Sequence, residues 1–346
     1  MAISSSELPD SRLNLGWGAV DFGEAVDIRE PSDEERRRIV QEFCSSAVHI
    51  VTGAFTEPSI ARTTKSLISA GAVVLCQTEA WDRTGLKGAI RNVLYAARFR
   101  KLARHDLSGV LAMGENGVEA VVCCNFPRSR VFEFGYFVDR PKNLLPKERS
   151  GVIFVAGLNK WKRPFDILNV ARLLPWIDFS IVGTGPLEQS LKKSIRGVEN
   201  VHFLGALPNS EVRDFISRHR LLLLPSNYDG WGAVVNEALS AGTPVLCSEA
   251  VGAKSLLTSD EGPWRGNVIE VGDVQSMSEL ISNALAHTNE TIHENIAAWA
   301  DSRIAPDIAA DYLLAVCKNL SEASGGAVVA PSAPWRRANQ APEDAG

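Results

Sequence analysis

The sequence of 346 residues lacks a strong charge of either sign and lacks long apolar runs. Its formal net charge is −5 and its pI is near 5.8, so it has no overall positive field of the kind that nucleic-acid-binding proteins use. No segment approaches the roughly 18 to 20 consecutive apolar residues of a membrane span. The N-terminus also lacks a basic region followed by an apolar one, which marks a signal peptide. We therefore predict a cytoplasmic protein that binds no nucleic acid.

Cysteine and histidine are scarce and scattered along the chain. The six cysteines lie mostly within apolar segments and form no C-x-x-C pair, which indicates buried thiols in a reducing compartment. The six histidines show no metal-ligand spacing. On this basis the sequence predicts no metal site.

The second half of the chain alternates short apolar segments with amphipathic stretches of helical period. Such alternation is typical of repeated βαβ units and of a parallel sheet. We predict a doubly wound α/β domain there, with strands at 151–157, 178–183, 201–205, 221–226, 244–248 and 267–272.

The first half shows the same alternation with fewer strands. We predict a second α/β domain with strands at 47–53, 71–79, 109–114 and 130–137. The predicted organisation is an N-terminal domain at 1–142, a linker rich in proline and charge at 143–150, a C-terminal domain at 151–295, helices at 296–320 and a disordered tail at 321–346.

The segment 225–248 carries the strongest functional signal. A predicted strand ends at Pro225–Ser226, a glycine-bearing loop follows, and a helix opens near Gly232. Ligands of parallel α/β sheets bind beyond the carboxyl ends of the strands, where a helix N-terminus offers free N–H groups to phosphate. Two carboxylates, Asp229 and Glu237, flank the turn and can accept hydrogen bonds from vicinal hydroxyls.

This segment resembles the E-x7-E signature of the retaining glycosyltransferases of family 4 and their relatives with the GT-B fold, with Asp229 in the place of the first glutamate. The resemblance covers about 105–318. It implies two Rossmann-like doubly wound domains facing a cleft, with the N-terminal one shortened. The C-terminal domain is expected to hold a nucleotide-diphosphate sugar, and the N-terminal domain to supply the acceptor.

The resemblance also implies roles for particular residues. Glu237 is expected to hold the donor ribose and Asp229 to contact the transferred sugar. The amides that follow Asp229 are expected to meet the diphosphate and the sugar, and Ser226 belongs to the same donor-binding loop. Those amides belong to Gly230, Trp231 and Gly232.

A second segment, FVAGLNKWKRPFDIL, resembles the strand, glycine and basic loop of that family. Gly157 is the glycine, and Lys162 and Arg163 are the cations expected to neutralise the diphosphate. Leu158 occupies the position where the family usually has an arginine, a position for which Lys160 or Arg163 can substitute. Further along, Phe203 and Gly205 are expected near the nucleobase.

The implied activity is transfer of a hexose to a saccharide or lipid-linked acceptor with retention of configuration, in the synthesis of surface polysaccharide or glycolipid. The chain has no D-x-D pair, so we expect no metal and no cofactor; cations and helix amides would stabilise the leaving diphosphate. The helices at 296–320 are expected to cross back to the N-terminal domain. Two alternatives stay open: a nucleotide-sugar epimerase and a non-catalytic GT-B subunit.

The N-terminal hundred residues match the family poorly. No glycine-glycine element opens the chain, and Gly53, Glu79 and Trp81 are the remaining candidates to face the cleft. The stretch 83–105 has seven basic and no acidic residues, interleaved with apolar ones. It predicts either peripheral contact with an anionic membrane, at the inner face of the plasma membrane, or a solvated helix face over an apolar core stripe.

Overall fold

A computed structural model of the chain describes residues 2–4, 27–29, 32–54, 57–103, 107–139, 148–258, 262–322 and 330–337. The chain divides into two compact units. The N-terminal unit comprises Met1–Phe134 and Tyr312–Ser332, and the C-terminal unit comprises Gly135–Asp311 and Ala333–Gly346. Within the described ranges, no helix is long and apolar enough to cross a bilayer.

The N-terminal unit is an α/β unit built on parallel strands. A two-stranded parallel sheet pairs the first two strands, and four further strands form the main parallel sheet in consecutive order. Its elements are β1 (Ala2–Ser4), β2 (Asp27–Arg29), α1 (Asp33–Phe43), β3 (Val48–Thr52), α2 (Pro58–Ser69), β4 (Val73–Thr78), α3 (Gly85–Ala103), β5 (Gly109–Met113), α4 (Gly114–Cys123) and β6 (Val131–Phe134).

All four strands predicted in the first half are confirmed, each a little shorter than predicted. Their consecutive order differs from the order of a doubly wound sheet, and among the described strands the reversal occurs only in the C-terminal unit. The core between α3 and the sheet is aromatic: the ring of Trp81 stacks on Tyr95 at 4.2 Å and on Phe99 at 6.1 Å. Trp81 is 6% exposed, so the expectation that it faces a cleft is wrong. Its indole instead donates to Asn92 in the core.

The C-terminal unit contains a six-stranded parallel sheet, and all six predicted strands are confirmed. Its elements are β7 (Val152–Val155), α5 (Pro164–Leu173), β8 (Phe179–Val182), α6 (Glu188–Ile195), β9 (Val201–Gly205), α7 (Asn209–Ser217), β10 (Leu221–Leu224), α8 (Ala233–Ser240), β11 (Val245–Ser248), β12 (Gly266–Ile269), α9 (Val274–His287), α10 (Glu290–Ile304) and α11 (Pro306–Glu322), the last of which continues into the N-terminal unit.

The strand order of this sheet is β12-β11-β10-β7-β8-β9. After β7 the chain adds β8 and then β9 on one side of β7. It then crosses back and adds β10, β11 and β12, in that order, on the other side. Neighbouring β7 and β10 pair through Leu221 with Val152 and Leu222 with Ile153. In an open α/β sheet this reversal separates the loops that leave the two strands and opens a crevice at their carboxyl ends. The doubly wound fold predicted for this half is confirmed.

The predicted disordered tail is partly wrong. The helix α11 continues to Glu322, and residues 330–337 are ordered, with a 3-10 helix at Pro334–Arg336. Trp335 is only 1% exposed. The tail is rich in Ala, Pro, Gly and Ser and has no apolar periodicity, but a single tryptophan buries enough surface to fix a short segment.

The linker predicted at 143–150 lies largely outside the described residues, which resume at Glu148, and its position stays a prediction. Arg149 belongs to the C-terminal unit. Its guanidinium donates to the Thr243 hydroxyl at 2.8 Å and to the Ala241 carbonyl at 2.8 Å, just past the end of α8. A cation at a helix C-terminus meets unpaired carbonyls and the negative end of the helix dipole. Arg149 therefore anchors the helix that carries Glu237.

The cysteines are free thiols, as expected, but they are not all buried. Cys76, Cys124 and Cys247 are buried, and burial raises the pKa of Cys76 to about 12 and that of Cys124 to about 11. Cys123 is exposed at the end of α4. The apolar segment AVVCCN therefore predicts the burial of one of its two cysteines correctly.

Candidate functional site

The candidate site lies at the crevice between β7 and β10 and is built by the loops that follow them. The loop after β7 is organised by Asn159. Its side-chain oxygen accepts from the amides of Trp161 at 2.9 Å and Lys162 at 3.2 Å, which is an Asx turn. The amide of Asn227, in the loop after β10, donates to the Trp161 carbonyl at 2.8 Å. The two loops are thus joined to each other by their backbones.

The central contact of the site is an ion pair between Lys162 Nζ and Asp229 Oδ2. Each residue comes from one of the two joined loops. The lysine side chain is 21% exposed and the aspartate side chain 14%, so the pair is shielded yet reachable from solvent. The structure therefore brings together the cation and the first carboxylate predicted from the sequence.

The loop from Asp229 to Gly232 is held by the segment that follows β11. The Asp229 amide donates to the Ala250 carbonyl at 3.2 Å, and the Asp229 carbonyl accepts from the Gly252 amide at 3.1 Å. The Trp231 carbonyl accepts from the Ala253 amide at 2.8 Å. A side chain at Gly252 would collide with the Gly230 carbonyl, which explains a glycine there. The backbone of the loop is thus fixed from one side.

Three backbone N–H groups of the same loop are relevant to ligand binding. The amides of Gly230, Trp231 and Gly232 donate to no acceptor within the described part of the chain. Gly232 is the N-cap of α8 with φ +92°, a conformation that glycine adopts without strain. Free amides at a helix N-terminus carry a partial positive charge and bind anions. The loop therefore offers an anion-binding position beside Lys162.

Glu237 lies on α8 and is partly buried. No hydrogen bond or ion pair engages its carboxylate among the described residues. Burial raises its pKa above the ordinary value of 4.5, while the nearby Arg213 opposes that shift. A desolvated carboxylate without partners is costly unless a ligand supplies donors.

Two further polar atoms in the loop after β10 have no partner. The hydroxyl of Ser226 and the side-chain oxygen of Asn227 are buried and make no hydrogen bond within the described structure. Ser226 itself is fully buried, and its carbonyl accepts from the Ser248 hydroxyl. Buried polar atoms are usually paired, so these two oxygens are unsatisfied groups in the loop that borders the crevice.

Arg163 does not join Lys162 at Asp229. Its guanidinium forms two bonds with Asp166, from Nε at 2.6 Å and from Nη2 at 3.1 Å. The residue caps α5 in the left-handed conformation with φ +51°. Leu158 is fully buried, so the position expected to carry an arginine contributes only to the core. Lys160 lies over the Trp161 ring at 4.6 Å. Of the three cations predicted from this loop, Lys162 is therefore the one that pairs with Asp229.

The remaining predicted residues lie at the ends of other strands. Gly157 follows β7, is exposed, and has room for a side chain. Gly205 ends β9 with φ +73°, and Phe203 lies on the same strand with Lys192 over its ring at 4.9 Å. In the sheet, β9 is separated from β7 by β8. Gly157 and Gly205 lie at the carboxyl edge of the sheet, and among the described residues neither they nor Phe203 forms a hydrogen bond or ion pair with the side chains of Lys162 and Asp229.

Sequence reasoning missed Asn159, Trp161 and Asn227, which organise the crevice. Asn159 had a detectable signal, because an asparagine two residues before a turn amide favours an Asx turn. The contact between Trp161 and Asn227 joins loops far apart in the chain and has no local signal. No group of three or more histidine, cysteine, aspartate or glutamate side chains forms a metal-binding cluster among the described residues.

The two parallel-sheet units define an α/β protein with two Rossmann-like domains. Residues 137–298 match the family model of the glycosyl transferases group 1. The resemblance predicted from 225–248 is confirmed at this level. The chain is 27% identical over 178 residues to a phosphatidyl-myo-inositol mannosyltransferase of Propionibacterium freudenreichii, which covers 49% of this chain and 44% of that protein.

Solved structures confirm the GT-B fold. A glycosyltransferase from Rickettsia africae superposes with a TM-score of 0.65 at 12% identity, covering 93% of this chain and 90% of that one. Anabaena Alr3699/HepE in complex with UDP gives a TM-score of 0.63 at 15% identity, covering 86% and 85%. At such identities the likeness establishes the fold alone. The chain spans less than half the length of the curated relatives that it matches.

We expect Gly232→Ala to disturb the site more than an equally strained glycine elsewhere. A Cβ at Gly232 would lie 2.8 Å from Val251 Cγ1, in addition to the cost of φ +92°. Gly197, with φ +82° and nothing within 4 Å, is the matched control for backbone strain. Strain alone costs about 1–3 kcal/mol. Thermal unfolding should show a larger loss for Gly232→Ala than for Gly197→Ala, and equal losses would contradict the close packing of this loop.

Proposed function

We propose that the protein transfers a sugar from a nucleotide-diphosphate sugar to a saccharide or lipid-linked acceptor, with retention of configuration. The observation that carries the proposal is the Lys162–Asp229 pair at the crevice, beside the free amides that open α8. Anionic ligands of doubly wound sheets bind at this place. The synthesis of surface polysaccharide or glycolipid is the proposed setting, and a lipid acceptor in the name of the mannosyltransferase relative supports it.

Each donor group has a chemical match in the site. The amides of Gly230, Trp231 and Gly232, together with Lys162, would bind the diphosphate. Glu237 would accept hydrogen bonds from the two ribose hydroxyls, which would satisfy its unpaired carboxylate. Asp229 would hold a hydroxyl of the transferred sugar. Gly157 and Ser226 line the same strand ends, and Phe203 with Gly205 would lie toward the nucleobase.

The chemistry requires charge stabilisation on the leaving group. The bond between the anomeric carbon and the diphosphate breaks, the acceptor oxygen bonds to that carbon, and the acceptor proton passes to the departing phosphate on the same face. Lys162 and the loop amides would stabilise the developing negative charge, with no metal or cofactor required. The guanidinium of Arg163, bound to Asp166, would shape the loop.

We expect the wild-type chain to bind UDP or GDP, and Glu237→Gln to weaken that binding at least about 100-fold, because two charge-assisted hydrogen bonds are lost. Calorimetric titration with both nucleotides measures the affinity. Glu211→Gln, an exposed position on α7, is the control. Absence of binding to UDP, GDP and dTDP by the wild-type chain would contradict the proposal.

The same carboxylate gives a pH dependence with a defined sign. Hydroxyls donate to ionised Glu237, so nucleotide affinity should fall as the pH drops through its raised pKa, above 4.5. The stability of the free chain should respond in the opposite sense. A raised folded-state pKa adds stability at low pH that is lost as the pH rises through it. Glu237→Gln should remove the pH dependence of affinity in this window.

We expect Lys162→Met to lower both nucleotide affinity and turnover, the turnover by about 100-fold or more, because a leaving-group cation is lost. Lys160→Met in the same loop is the matched control and should retain activity.

Asp229→Asn should lower kcat while changing nucleotide affinity little. Steady-state kinetics with separate kcat and KM measures these effects, and full activity of Asp229→Asn would remove Asp229 from the mechanism.

A non-catalytic subunit is the second candidate, favoured by one observation. Leu158 is fully buried where relatives of the resembled family place an arginine. A chain of this kind would bind the nucleotide normally and show neither transfer nor hydrolysis with any acceptor. The same calorimetric and kinetic measurements separate the two functions.

We also propose that α3 contacts an anionic membrane. Its inward side carries Tyr95 and Phe99, whereas its outward side is apolar and exposed. The exposed fractions are Leu86 80%, Val93 66%, Ile90 55% and Leu94 52%. Exposed basic side chains flank this stripe, namely Lys87, Arg98, Arg100 and Lys101. An apolar stripe bordered by cations matches the interface of an anionic bilayer.

We expect the protein to float with vesicles containing phosphatidylglycerol, and not with vesicles of phosphatidylcholine alone. The triple variant Leu86→Ser, Ile90→Ser, Val93→Ser should lose this binding, because the inserted apolar surface is removed. Leu314→Ser, 66% exposed on α11, is the control. Binding should weaken with salt. Equal flotation of the triple variant would exclude α3 as the contact.

A further inference from the structure

The C-terminal segment 333–337 packs its one tryptophan behind the loop that offers the free amides. Trp335 and Trp231 are each 1% exposed, and their ring centroids lie 6.0 Å apart. Trp231 stands between Gly230 and Gly232 in sequence. Trp231, the middle one of the three residues whose amides are proposed to bind the diphosphate, is thus covered by a residue about one hundred positions further along the chain.

Both indoles also pack against Gly135. A Cβ at Gly135 would lie 2.6 Å from Trp231 Cη2 and 3.0 Å from Trp335 Cη2. Distances this short leave no room for any side chain, so the rings fill the space above this backbone completely. Tyr136 meets Trp231 edge-on at 6.1 Å, and Phe137 lies 6.1 Å from Trp335. The four aromatic residues form one packed cluster, here called the tryptophan cluster: Tyr136, Phe137, Trp231 and Trp335.

The polar edge of Trp231 is fixed as well. Its indole N–H donates to the side-chain oxygen of Asn236 at 2.7 Å. The side-chain Nδ2 of Asn236 in turn donates to the Tyr136 carbonyl at 2.6 Å. Asn236 is fully buried on α8. The N–H edge of the ring is therefore held by a hydrogen bond, and Trp335 packs against the ring itself.

From this packing we infer that Trp335 is a positioning residue for the donor loop. Its ring packs on the indole of Trp231, whose backbone carries one of the proposed donor amides. It holds Trp231, and Trp231 fixes the backbone whose amides bind the diphosphate. Preorganised donors bind and stabilise charge without the cost of ordering the loop at the moment of binding. The inference rests on the proposed function, because it assigns those amides to the donor.

The experiment compares Trp335→Ala, Trp335→Phe and a truncation after Ser332. Nucleotide binding is probed with UDP and GDP, and transfer with the matching nucleotide sugar. We expect Trp335→Ala and the truncation to raise the Kd and the donor KM about tenfold or more, since the loop must then be ordered on binding. Trp335→Phe should restore most of the affinity, and kcat at saturating donor should change less than KM.

Two controls separate positioning from general stability. Trp176→Ala removes a tryptophan that is 73% exposed, and Ile281→Ala opens a cavity in the core of the same unit, on α9. Amide hydrogen exchange gives a readout that needs no nucleotide. Exchange of the Asp229, Gly252 and Ala253 amides, which hydrogen-bond the loop to the segment after β11, should speed up in Trp335→Ala and not in Ile281→Ala at a similar melting temperature.

The outcomes are distinct. Binding by Trp335→Ala that equals the wild type, or unchanged exchange of the Asp229, Gly252 and Ala253 amides, would overturn the inference and leave the proposed function standing. Failure of the wild-type chain to bind any of the nucleotides would instead overturn the proposed function, and with it the assignment of these amides to a donor.

Discussion

The reversal of strand order between β7 and β10 is the constraint on which the site depends. β7 and β10 are parallel neighbours, and the connections that leave them run toward opposite edges of the sheet. A crevice therefore opens between the two loops at the carboxyl ends of these strands. The loops on either side meet through the backbone bond from Asn227 to Trp161. The ion pair between Lys162 and Asp229 then spans the same crevice. A cation, a carboxylate and a helix N-terminus are thus brought together by the topology of the sheet.

The free protein already holds these groups in place. Lys162 is kept near the loop amides by Asp229, and the loop backbone is tied to the segment after β11. A diphosphate arriving there would meet positive charge that needs no reorganisation, and it would share Lys162 with Asp229. Glu237 presents the opposite situation, since burial raises its pKa and no described residue hydrogen-bonds to its carboxylate. The site therefore combines two different carboxylates. Asp229 is already paired with Lys162, whereas Glu237 would receive its hydrogen-bond donors from the proposed ligand.

Much of this was predictable from the sequence, for physical reasons. The strands were found because apolar segments and turn residues are local signals, and the loop after β10 stood out because glycines and carboxylates cluster in a few residues. The fate of Arg163 was not predictable, since the neighbouring Asp166 captures its guanidinium only in the folded loop. The burial of Trp81 was not predictable because it depends on how α3 packs its Tyr95 ring on the indole. The packing of Trp335 was not predictable because its aromatic partner, Trp231, is about one hundred residues away in sequence.

The place of Trp335 in the chain also bears on how the protein is made. Trp231 leaves the ribosome more than one hundred residues before Trp335. At about 5–20 residues per second, several seconds separate the two events. During that interval the sheet strands already exist, while the indole of Trp231 lacks the ring that covers it. An apolar surface is then open to solvent or to other nascent chains until Trp335 has been synthesised and packs against it.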